Sequence, residues 1–206
     1  VPGKADVPKE SATKAAPALP SAQPAAVSAS AGGGAPAARA VAQTLERGPF
    51  DYFAEHCARC HGLYGRNYGP SFGANLDLAH LRQMVRMMAE GPGAAPLSGA
   101  PFEAQVAWHE ALAKKQPFIA LLTLEPLVTG EASPGSKVSL EVEGEAASPV
   151  AGADPIGPDA HAWSLDAGQS ARVRAALAAG KPVRLVATLG GATARLDPTE
   201  RAYTKP

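Results

Sequence analysis

Apolar residues recur along this chain in two different rhythms. Leu78, Leu81, Val85 and Met88 stand three or four positions apart, which predicts a helix over 76–90 with one apolar face. Gly91-Pro92 stops it, and 91–100 reads as loop. A second helix is predicted over 102–115, with Phe102, Val106 and Leu112 on its apolar side and Pro117 beyond its end. Upstream, Pro49 suits a helix start and Asp51 and Glu55 suit its first turns, which predicts a helix over 51–60. The stretch 62–75 holds Gly62, Gly65, Gly69, Gly73 and Pro70 and reads as loop. The apolar run 119–127 fits either a strand or a last helical turn.

From about residue 128 the rhythm changes to alternation. Val138, Leu140 and Val142 alternate with Ser139, Glu141 and Glu143, the pattern of a half-buried strand. Val183, Leu185, Ala187 and Leu189 repeat it, and Gly190-Gly191 reads as a tight turn. The run 170–179 fits a helix through Val173, Ala176 and Leu177, and a strand through Arg172, Val173 and Arg174.

Composition refines the organisation. Of 206 residues, 21 are glycine and 20 are proline. Pro2, Pro8, Pro17, Pro20, Pro24 and Pro36 interrupt any helix before residue 40, so 1–47 is expected to be an Ala/Pro-rich tether. The 19 basic and 19 acidic side chains cancel, which leaves no electrostatic case for nucleic-acid binding. No run of 18 apolar residues predicts a transmembrane segment.

The chemistry concentrates at Cys57-Ala58-Arg59-Cys60-His61. On one helical turn two thiols meet the two vinyl carbons of a porphyrin edge, and the next imidazole reaches the iron. This C-x-x-C-H pattern points to one covalently bound haem c, with Cys57 and Cys60 as attachment residues and His61 as proximal iron ligand. A chance pattern, a redox dithiol and half of a zinc site are the competing readings. The chain has only 2 cysteines, so zinc lacks its second pair.

Residues 50–126 resemble a small class I cytochrome c domain: Cys60-His61-Gly62 is followed by Gly65, Gly69-Pro70 and Phe72-Gly73, then by two helices. The resemblance implies an all-α haem domain over 48–126, followed by a β-rich accessory domain over 127–206. It also implies that Phe53 packs near Trp108, and that the turn at Gly69-Pro70 offers a carbonyl to the Nδ1 proton of His61. It further implies a methionine just before a proline in the loop after the middle helix. That place holds Ala95, so the sixth iron ligand stays open. Met88, Met84 and Met87 form one class of candidates, His80 and His109 a second, and an open or water-bound iron a third.

The expected role is single-electron transfer, as a subunit or tethered partner of a redox complex and so within a hetero-oligomer. A haem-based small-ligand binder or peroxidase-like enzyme, and an assembly subunit recognising its partner through 127–206, remain alternatives. No acid–base pair marks the chain as an enzyme. Covalent haem attachment places it in the periplasm or outside the cell, after removal of an export signal. Asp154, Asp159, His161 and Asp166 invite a metal site but read better as a solvated loop.

Overall fold

Pro49 opens helix α1 (Pro49–His56) in the computed structural model, which describes residues 42–75, 77–143, 145–150 and 161–206. The expected tether at 1–47 lies almost wholly outside the described residues. Gly48 precedes α1 in extended conformation, and the fixed φ of Pro49 suits the first helical position. At Cys57 the backbone leaves helical geometry, with φ −120° and ψ −31°. One further turn, α2 (Ala58–His61), follows and ends at Gly62, whose φ of +69° an L side chain rarely adopts. A 3₁₀ turn, Leu63–Gly65, leads into the glycine-rich loop.

Helix α3 (Leu78–Glu90) starts under the Asp77 carboxylate, which accepts the His80 N–H at 2.7 Å. It buries Leu81 and Val85 against Phe102 and Val106 of helix α4 (Gly99–Ala113). Phe53 of α1 meets Trp108 of α4 edge-to-face, with ring centroids 4.7 Å apart. Such a pair adds about 0.5–1.5 kcal/mol beyond its buried area.

After α4 the chain becomes a strand. β1 (Ile119–Thr123) pairs antiparallel with β2 (Thr129–Ala132), Ile119 opposite Ala132. Strands β3 (Lys137–Val142) and β4 (Ser148–Pro149) follow, then β5 (Ala162–Ser164), helix α5 (Ala167–Ala178) and strands β6 (Val183–Leu189) and β7 (Ala192–Leu196). The described strands form two antiparallel sheets, in the orders β1-β2-β5 and β4-β3-β6-β7. Gly190 and Gly191 join β6 to β7 with φ of +57° and +86°, the two positive values of a hairpin turn that matches strand twist.

Strand β1 divides two cores. Phe118, Ile119, Ala120 and Leu121 are all fully buried. Ile119 and Leu121 face a core shared by both sheets and α5, with Leu140, Leu185 and Val173. Phe118 and Ala120 face the other way, onto Phe50, Phe53 and Trp108 of the helices. Alternation along a strand sends successive side chains to opposite faces, and here both faces are covered.

This arrangement corrects the expected fold class. The molecule is a mixed α/β structure of helices and two antiparallel sheets, not an all-α cytochrome c-like domain with a β-rich appendix. The physical reason lies in β1: its helix-facing side chains complete the helical core while its backbone belongs to a sheet. The run 170–179 also resolves as helix, because Asp166 caps α5 by accepting the Gln169 N–H at 2.7 Å. All described residues belong to Pro36–Pro206, one of the two units into which the chain divides.

Candidate functional site

Helix α1 carries the cysteine motif at its C-terminal end, and its N-terminal end is held from the sheet. No local side chain caps it. Instead Glu131 on β2 accepts the N–H groups of Phe50 at 2.9 Å and Asp51 at 3.0 Å. Glu131 thus takes the role of an N-cap side chain from 81 positions away. A Cβ at position 48 would collide with this carboxylate, which explains glycine there. Glu131 is almost fully buried, and its pKa is pushed up to about 7 by desolvation, against the pull of the two N–H groups.

His161 completes the clamp. Its Nε2 lies 2.9 Å from an Asp51 carboxylate oxygen and 3.6 Å from Glu131, and its Nδ1 lies 3.1 Å from the Tyr64 hydroxyl. The ring also stacks on Phe50, with centroids 5.5 Å apart. Asp51, Glu131 and His161 each bring one ligand atom within 4.8 Å of the others. The positive end of α1 opposes a cation at this point, so the chemistry fits a hydrogen-bonded latch. Of the acidic residues considered beside His161 in sequence, Asp166 is spent as the α5 cap, and Asp154 and Asp159 lie outside the described residues.

The Cys57–His61 turn borders a cavity of about 260 Å³. Cys57 and His61 line it together with Tyr68 and Phe72 of the following loop, whose rings stack 4.3 Å apart. Helix α3 contributes Leu81, Met84, Val85, Met88 and Ala89, and α4 contributes Gln105 and His109. Cys60 is exposed and Cys57 half-buried, and neither is in a disulfide. The cavity wall is therefore aromatic, aliphatic and thioether, with few polar atoms.

Those polar atoms are mostly spoken for. Tyr52 donates its hydroxyl to the Ala95 carbonyl at 2.6 Å, and burial pushes its pKa up to about 12. His109 Nδ1 donates to the Gln105 carbonyl at 2.8 Å, so its Nε2 accepts from the Tyr68 hydroxyl at 3.0 Å. Burial lowers the His109 pKa to about 4 and keeps that ring neutral. Two groups stand apart. The His61 ring touches Phe53 and Tyr68 and has no hydrogen bond among the described residues. The Gln105 amide is buried at both Nε2 and Oε1 with no hydrogen-bond partner among the described residues.

The candidates for a sixth ligand separate clearly. Met84 and Met88 line the cavity, and Met88 does so while 43% exposed. Met87, at 52% exposure, and His80, exposed at the start of α3, do not line it. His109 lines it with both ring nitrogens already bonded. Ala95 lends its backbone carbonyl to Tyr52, so the loop that lacks a methionine is anchored by that hydrogen bond.

Gln105 and Tyr68 were missed by the sequence reading. A sequence signal for Gln105 existed: Gln105 and His109 share helical spacing with Phe102 and Val106, a polar pair beside an apolar stripe. No signal pointed to Glu131. These residues are the whole basis for a functional reading, because no family model, curated protein or solved structure matches the chain.

Proposed function

We propose that the chain is a c-type cytochrome, in which Cys57 and Cys60 bind one haem through thioethers and His61 ligates its iron. The observation that carries this reading is the C-x-x-C-H turn bordering an apolar cavity into which only an unbonded imidazole and an unpaired amide bring free polar atoms among the described residues. Bound haem supplies a one-electron couple at iron.

The protein's own residues do the rest. Glu131 fixes the start of α1, and Phe53 against Trp108 fixes its body, so the Cys57–His61 turn is held from both sides. Tyr68 and Phe72 close one wall with stacked rings and exclude water. Met84 or Met88 supplies a soft thioether as sixth ligand, which favours ferrous iron and raises the potential. Two thioethers on the cavity wall favour a single-electron carrier over a haem-based ligand binder or peroxidase-like enzyme. Its partner in this reading is a redox protein or complex, met in the periplasm or outside the cell. No helix among the described residues is long and apolar enough to cross a membrane.

A redox titration of the full chain, produced with an export signal and haem-attachment machinery, tests the proposal. Visible bands that follow a single one-electron transition support it. A chain without a visible chromophore contradicts it.

A further inference from the structure

Every polar side chain lining the cavity has a visible task except Gln105. The phenols of Tyr52 and Tyr68 donate to Ala95 and His109, and both ring nitrogens of His109 are bonded. His61 is reserved for iron in the reading above. Gln105 is 1% exposed, and its amide has neither an acceptor for its N–H₂ nor a donor for its oxygen among the described residues. A buried amide left unpaired costs roughly 1–3 kcal/mol, so it is retained in folded proteins when something pairs with it.

The two open ends specify the partner. An aliphatic edge of a porphyrin offers neither donor nor acceptor. A thioether and an ionised carboxylate offer only acceptors, and burying an ionised carboxylate against one neutral amide is costly. A small neutral molecule that both donates and accepts satisfies both ends, and water is the simplest of these. The cavity, about 260 Å³, has ample room for one beside a larger occupant's edge.

We propose that Gln105 holds an internal water in the cavity and, through that reorientable dipole, tunes the potential of the iron. This inference rests on the haem reading. Ferric haem carries one more positive charge than ferrous haem, so a polar, responsive neighbour stabilises the ferric form. Removing it makes the cavity more apolar and shifts the balance toward the ferrous state. Gln105 acts here as a positioning residue, since it reaches the iron only through the water.

The test uses the haem-loaded full chain and two variants. Gln105→Leu keeps the volume and loses both hydrogen-bonding ends. It should raise the midpoint potential by about tenfold in the one-electron equilibrium, roughly 59 mV. Gln105→Glu retains an acceptor and gains a titrating proton, so its midpoint potential should fall as pH rises through the carboxyl pKa. In the ferrous wild type, the Gln105 side-chain N–H₂ should show magnetisation transfer from a long-lived water in the nuclear magnetic resonance spectrum.

Outcomes separate the two levels of the proposal. Haem attached in all forms, with potentials unchanged in both variants and no water transfer to Gln105, overturns the role of Gln105 and leaves the haem reading intact. Water transfer without any change of potential overturns the tuning role. A wild-type chain that takes up no haem overturns both readings.

Discussion

Glu131 shows how one side chain couples distant parts of the chain. It sits on β2, is almost fully buried, and accepts two N–H groups of the helix that carries the cysteines. Burial raises its pKa from 4.5 to about 7, so the folded protein keeps a proton that the unfolded chain releases between those values. Stability from this group is complete below about pH 4.5 and declines as pH rises through about 7. The shift corresponds to a change on the order of 3 kcal/mol. Urea unfolding at several pH values should therefore show a falling midpoint across this window in the wild type. In Glu131→Gln that slope should vanish, with an added loss of about 1 kcal/mol for the weakened cap. A Glu131→Gln chain with the wild-type pH slope would show that another group carries it.

Helix α3 presents three thioethers in five residues, and their placement distinguishes them. Met84 and Met88 lie four apart and border the cavity, whereas Met87 faces away from it. Replacing methionine by leucine preserves volume and usually costs less than about 1.5 kcal/mol, so each variant should fold. Exactly one of Met84→Leu and Met88→Leu is expected to abolish the near-infrared charge-transfer band of ferric thioether-ligated haem and to lower the midpoint potential. Met87→Leu should leave both unchanged. If neither Met84→Leu nor Met88→Leu alters the band, the thioether assignment is wrong and His109 or an open iron replaces it. At the same scale, β1 explains a limit of reading by pattern. Its four buried residues form a continuous apolar run, which hides the alternation that assigns Phe118 and Ala120 to one core and Ile119 and Leu121 to another.

Across the whole molecule, the parts that were legible in the sequence are those set by local chemistry. The start at Pro49, the α3 face of Leu81 and Val85, the β3 alternation and the Gly190-Gly191 hairpin all follow from neighbours within a few residues. What escaped depends on pairing between distant segments. Glu131 reaches Phe50, His161 reaches Asp51 and Tyr64, and Ala120 bridges to Tyr203. None of these contacts leaves a periodic trace, and together they turn an expected helical domain with an appendix into helices and sheets that share β1. The sheets thereby serve the cysteine turn directly, because the carboxylate that caps α1 comes from β2.

The central claim concerns two sulfur atoms, and intact mass after denaturation reads them directly. The full chain exported in a host that attaches haem should retain one haem mass after unfolding and reduction, and proteolysis should localise it to the peptide containing Cys57 and Cys60. A chain of unmodified mass, with both thiols free to react with an alkylating reagent after reduction, would contradict the claim.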